Sequence, residues 1–163
     1  MLGPEHSEGA VAVAEEQTEG RGRLGRRWDS PPGVSVLCSV LLEPPVETQR
    51  LPELSLVAGE ACADAISAVT ELEPEIKLPN DILLGGRKAA GILAEAREGR
   101  VVLGIGINVN VPADELPTET GRPATSLLVE TGVEIDRAQL LVELLVALER
   151  RYDLWVAGAA TDT

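Results

Sequence analysis

Residues Gln17 to Trp28 read Q-T-E-G-R-G-R-L-G-R-R-W and hold four of the chain's twelve arginines and three of its sixteen glycines. Arginine keeps its charge and presents a planar fork of donors that suits phosphate or carboxylate oxygens. Glycine lets backbone approach a ligand closely. The chain carries a formal charge of −13, yet the four arginines outweigh Glu19 and Asp29, so Gln17 to Ser30 carries +2. This pattern fits an anion-gripping loop; a solvated surface loop or a nucleic-acid patch would use the same residue types. A second stretch is Lys77-Leu78-Pro79-Asn80-Asp81, followed by Lys88 and Gly91. Lys77 and Lys88 are the only two lysines beside twelve arginines, which suggests places that need a compact ammonium. A third is Gly104-Ile105-Gly106-Ile107-Asn108-Val109-Asn110. Strand alternation puts Gly104, Gly106 and Asn108 on one face, so the glycines clear a floor and Asn108 offers an amide beside it. A strand bend or close helix packing is the structural alternative.

These residues need a scaffold, and 163 residues suffice for one domain with a proper core. With no Phe, two Trp and one Tyr, the core must come from Val, Leu, Ile and Ala. The acidic balance argues against general nucleic-acid binding. Cys38 and Cys62 lie in apolar segments and read as buried thiols of a reducing compartment. No apolar run is long enough to span a bilayer and no secretion signal opens the chain, so a cytoplasmic location is expected.

The spacing predicts strands at Ala10–Ala14, Val34–Leu42 and Glu75–Leu78, and a helix from Leu51 to Val69. Apolar Ile82–Leu84, then Lys88–Ala96 and Val101–Val109, separated by Gly85-Gly86 and Glu98-Gly99, predict a three-stranded antiparallel meander. A short helix is expected at Thr125–Glu130. A final helix should be capped by Asp136 with Gln139 and carry the stripe Leu140, Leu141, Leu144, Leu145, Leu148, Tyr152 and Trp155. The expected fold class is α+β: a mixed, largely antiparallel sheet with helices packed on one side, one domain over residues 10–157, and flexible termini at 1–9 and 158–163.

Taken in order, the arginine loop, Lys77-x-Pro79-Asn80-Asp81, Lys88-x-Ala90-Gly91-Ile92 and Gly104 to Asn110 resemble the catalytic domain of biotin–protein ligases, over about Val11 to Val156. The resemblance implies an α+β biotin/lipoate ligase-like domain that joins biotin to ATP, giving biotinyl-5′-AMP. Biotin then passes to a lysine of a biotin carboxyl carrier domain of a carboxylase. It implies that Lys77 and Arg23 are catalytic, and that Gln17, Gly20, Arg21, Gly22, Arg23, Lys77, Gly91, Gly104 and Gly106 bind biotin. It further implies that Arg21, Arg23, Trp28, Asn80, Lys88 and Asn108 serve ATP or the adenylate, with Trp28 at the adenine end and Asn108 placing Mg²⁺ or the phosphates. No DNA or membrane partner is implied, and a homodimer through an open sheet edge is compatible with the family.

The family's opening Ser-Thr-Asn strand has no counterpart in residues 1–16, which contain Ser7 but no Thr or Asn. Leu78 stands where the family has Trp, and no stretch after Val156 accommodates the small β-barrel of many members. The chain is therefore expected to be a shortened catalytic domain. Two rival readings stay open: a non-catalytic binder of biotin or its adenylate, and a lipoate ligase-like acyltransferase. The arginine–glycine marker and His-Asp pair of the latter group are absent; the one His is His6.

Overall fold

A computed structural model describes residues 2–118 and 121–161. Six strands form one sheet: β1 (Val11–Ala14), β2 (Ser35–Leu42), β3 (Glu75–Lys77), β4 (Asp81–Leu84), β5 (Arg87–Arg97) and β6 (Arg100–Asn108). Their spatial order is β1-β2-β6-β5-β4-β3. All five pairings are antiparallel, so the expected mixed sheet is antiparallel throughout its named strands. The one parallel feature described is an isolated bridge between Lys88 and Ala124.

The meander follows from its turns. Gly85 and Gly86 take φ of 54° and 77°, and Glu98 and Gly99 take 53° and 81°. Positive φ at both central residues matches the twist of two-residue hairpins. Helices α1 (Leu54–Thr70) and α3 (Arg137–Thr161) pack together over one face, and α2 (Leu127–Thr131) adds Leu127 to the same core. That core takes Val36, Cys38 and Val40 from β2 and Leu103, Ile105 and Ile107 from β6, the residues that alternate away from the glycines. Burial pushes the Cys38 thiol up to about 12 and raises Cys62 as well.

Two helix starts differ from expectation. The predicted first helix begins as a 3₁₀ turn, Thr48–Glu53, because Pro52 lacks an N–H and sits before α1. The short helix starts at Leu127, since Ser126 stays extended and its hydroxyl accepts from Val129 N–H at 3.1 Å. Asp136 does cap α3, accepting from the amides of Ala138 and Gln139 at 2.9 and 3.1 Å.

Near the N-terminus Gly9 N–H donates to Leu41 O at 2.8 Å and Arg100 bonds His6 O. At the other end α3 runs through Gly158 to Thr161; Met1, residues 119–120 of the predicted loop and residues 162–163 lie outside the described residues. No helix among the described residues is long and apolar enough to cross a membrane.

Candidate functional site

The sheet face away from α1 and α3 carries the glycines. One cross-strand row on this face is Lys77–Asp81–Gly91–Gly106–Leu37–Ala14, each paired with the next through all six strands. Neighbouring strands lie about 4.8 Å apart, so Lys77 is about 14 Å of backbone from Gly106. At the centre of the row there are no side chains. Trp28 fills that gap: a Cβ at Gly106 would stand 2.7 Å from its Cε2, and one at Gly91 would stand 3.0 Å from its Cζ3. Gly104 differs, because a Cβ there would meet Leu93 at an ordinary 3.5 Å. Close approach therefore reserves Gly91 and Gly106 for glycine, but not Gly104.

The arginine loop is a small hairpin. Trp28 N–H donates to Gly20 O at 2.9 Å, Gly22 N–H to Arg26 O at 2.7 Å, and Arg23–Gly25 form the turn. Gly20 is obligatory here, since a Cβ would stand 2.3 Å from Trp28 O. Gln17, Arg21 and Arg23 are exposed, and Arg21 and Arg23 make no ion pair among the described residues. Arg27 is neutralised by Asp29 at 2.7 Å. A cleft of about 480 Å³ beside the hairpin is lined by Gln17, Arg27, Ser30 and Glu115; a second, of about 410 Å³, is lined by Gly20, Arg21 and Arg26. Neither includes Arg23, Lys77 or Asn108. The hairpin closes on its own backbone, so Arg23 lies at its tip and these three residues share neither cleft.

Trp28, expected from the resemblance at the adenine end of the loop, lies on the glycine floor. Lys88 meets it there: its Nζ is 5.7 Å from the indole centroid and 2.8 Å from Asp81 Oδ1. Simple alternation would place Lys88 on the helix face with Ala90 and Ile92. A bulge, where the β4–β5 register shifts between Ile82 and Leu83, puts both Ala89 and Ala90 into the core and turns Lys88 to the open face. The Lys88 ammonium thus has a carboxylate partner already, whereas Lys77 is exposed and has no ion pair among the described residues.

The asparagines divide by role. Asn80 Nδ2 donates to Ile92 O at 3.1 Å and Asn80 O accepts from Ile92 N–H at 2.9 Å, so its amide nitrogen fastens the β4 entry. Asn110 exchanges two 2.9 Å bonds with the Ile135 backbone. Asn108 is 2% exposed, and Nδ2 donates to Thr125 O at 3.1 Å. Its Oδ1 is buried with no hydrogen-bond partner among the described residues, as is Trp28 Nε1. Buried polar atoms in folded proteins nearly always have partners, so two orphans on one face mark a place for ligand. Three residues not chosen from the sequence touch these candidates: Asp81 pairs with Lys88, Thr125 O accepts from Asn108, and Glu130 accepts from Thr125. Asp81 stands inside the quoted motif, but the other two have no local signal.

No cluster of three or more His, Cys, Asp or Glu suited to a metal exists among the described residues. The Asn108 oxygen is one buried atom on this face of the kind that could meet Mg²⁺.

A one-sided antiparallel sheet with a glycine-floored open face and a cationic hairpin at its edge defines a ligand-binding α+β architecture. The Biotin/lipoate A/B protein ligase family matches residues 3–111, and the chain belongs to that family. It is 43% identical over 150 residues to the bifunctional ligase/repressor BirA of Bacillus subtilis, covering 89% of this chain and 46% of that protein. It is 42% identical over 155 residues to the biotin–[acetyl-CoA-carboxylase] ligase of Mycobacterium tuberculosis, covering 91% and 56%. Among solved structures it resembles the biotin protein ligase of Aquifex aeolicus in complex with biotin and ATP, with a TM-score of 0.82 and 37% identity over 91% of this chain and 62% of that one. The chain thus spans about half the length of these curated relatives.

Proposed function

We propose that residues 10–157 form the catalytic domain of an ATP-dependent biotin–protein ligase. The observation that carries this reading is the bare Gly91–Gly106 pair, set in one row with Lys77 and covered by Trp28. A compact bicyclic ligand comes close only over such bare backbone, and it reaches the floor by displacing the indole.

In the first step a biotin carboxylate oxygen attacks the α-phosphorus of ATP and pyrophosphate leaves, giving biotinyl-5′-AMP. Two anions must meet, so cations lower the barrier most where charge accumulates. Lys77 is the uncommitted ammonium on the row and serves that position. Arg21 and Arg23, on the hairpin, reach phosphate when the loop folds over the face, which also excludes water from the anhydride. Gln17 and Gly20 to Arg23 form the biotin side of this flap. Asn108 holds the nucleotide side and would offer a side-chain oxygen to Mg²⁺, which would neutralise the phosphates. Lys88, bound to Asp81, braces Trp28. In the second step the amine of an acceptor lysine attacks the acyl carbon, forming the amide and releasing AMP. The acceptor is a biotin carboxyl carrier domain, and the setting is cytoplasmic.

The test is incubation with biotin, ATP and Mg²⁺, with mass spectrometry for biotinyl-5′-AMP, and a parallel reaction with lipoate. Adenylate from biotin supports the ligase. Biotin binding without adenylate supports a non-catalytic binder, and lipoyl-AMP in place of biotinyl-AMP supports the acyltransferase alternative.

A further inference from the structure

The segment from Pro123 to Ser126 joins two site residues that are far apart in sequence. Lys88 N–H donates to Pro123 O at 2.8 Å, and Thr125 N–H donates to Lys88 O at 2.9 Å. The Thr125 carbonyl in turn accepts from Asn108 Nδ2 at 3.1 Å. A carbonyl can only accept, so the nitrogen of Asn108 must face Thr125 and its oxygen must point elsewhere. Thr125 and Ser126 are fully buried. Ser126 Oγ donates to Val111 O at 2.7 Å, fixing the far end of the strap.

One side chain ties this strap from outside. Thr125 Oγ1 donates to Glu130 Oε1 at 2.5 Å, and the same oxygen accepts from Arg87 Nη2 at 2.6 Å. Glu130 is only 16% exposed in its side chain. Arg87 precedes Lys88, so the tie closes a loop: Arg87–Glu130–Thr125–Lys88.

We propose that Glu130 is a positioning residue for Asn108, acting through Thr125. It holds the Thr125 carbonyl where it consumes the amide nitrogen of Asn108, leaving only Oδ1 for the ligand. Asn108 then accepts a ligand N–H or O–H, or meets a cation; it does not donate to a phosphate oxygen. The ligand side of this inference rests on the ligase reading, whereas the geometric side does not.

The first measurement is therefore independent of activity. Three Asn and three Gln give six side-chain amide pairs in a ¹⁵N spectrum, and Asn108→Ala identifies one of them. The Asn108 amide protons should exchange slowly with solvent in the wild type and at least about tenfold faster in Glu130→Ala. Glu130→Gln, which still accepts from Thr125, should keep the slow rate. Should Glu130→Ala fail to fold, Thr125→Val removes the same tie, keeps the Arg87–Glu130 pair, and should give the same increase. Unchanged Asn108 exchange in a folded Glu130→Ala or Thr125→Val variant overturns the proposal.

The second measurement is biotin-dependent ATP–pyrophosphate exchange. Glu130→Ala should raise KM for ATP about tenfold, with kcat and KM for biotin held within about twofold. Asn108→Ala combined with Glu130→Ala should be no worse than Asn108→Ala alone. Full additivity overturns the positioning role. Absence of exchange in the wild type sinks the ligase reading, and the amide measurement then decides the positioning claim by itself.

Discussion

The two faces of the sheet treat their polar groups in opposite ways. Between the helices, Arg151 grips Asp64 through two bonds of 2.7 and 2.9 Å and reaches Glu60 at 2.5 Å. Arg150 adds a 2.9 Å bond to the same Asp64. Trp155 Nε1 donates to Glu53 at 2.7 Å, and Tyr152 OH donates to Glu8 at 2.6 Å. On the glycine face Lys88 is paired with Asp81, but other groups stay open. Trp28 Nε1 and Asn108 Oδ1 are buried orphans, and Arg21, Arg23 and Lys77 have no ion pair among the described residues. Folding alone favours closing the two buried valences, since an unmet buried polar atom costs about 1–3 kcal/mol. A face that leaves them open is shaped for something other than its own stability. The helical layer holds the sheet, and under the proposed function the glycine face takes the ligand.

The sharpest way to break this contrast is to remove charge from the open face. Lys77→Ala should slow biotin-dependent ATP–pyrophosphate exchange on the order of 10²–10³-fold, and Arg23→Ala about 10²-fold. Both side chains are exposed, so the thermal midpoint should stay within a degree or so of wild type. An unchanged exchange rate in either variant would remove that residue from the chemistry.

The converse substitution lies in the helical layer. Leu144 is fully buried between α3 and the sheet, and Leu144→Ala should cost about 3 kcal/mol in denaturant unfolding. Its folded fraction should keep wild-type KM values; a raised KM would show that the two faces are coupled.

The smallest effect should come from the interhelical ion pairs. Asp64→Asn should cost at most about 1 kcal/mol, because the pair is partly solvent-screened. The hydrogen bond from Arg151 holds the Asp64 carboxyl below its usual value of 3.8. Its stabilising contribution is therefore complete above pH 3.8 and fades as the pH falls through the lower folded value. Acid unfolding of Asp64→Asn should begin no later than that of the wild type but with a shallower loss in this range. Equal slopes would show that Asp64 contributes nothing.

Much of this architecture was legible because its signals are local. Gly85-Gly86 and Glu98-Gly99 announce hairpins, and alternation separates Gly104, Gly106 and Asn108 from Leu103, Ile105 and Ile107. The stripe from Leu140 to Trp155 carries the helical period directly. What escaped depends on contacts between distant segments. Nothing near Trp28 says that its ring will rest on Gly91 and Gly106. The bulge at Ala89–Ala90 reverses the face that alternation assigns to Lys88, and apolar spacing cannot show it. Asn80 and Asn108 look equivalent in sequence, yet Ile92 O takes the nitrogen of one and Thr125 O that of the other. The tie from Glu130 to Thr125 is short in sequence, but its meaning comes from Asn108, seventeen residues before Thr125.

The central claim is that Gly106 is kept bare so that biotin can lie against the sheet. Calorimetric titration of biotin into the wild type and Gly106→Val tests it most directly, with circular dichroism confirming that both are folded. Binding heat in the wild type that vanishes in folded Gly106→Val is the predicted result. Equal affinity in the two proteins would contradict the account.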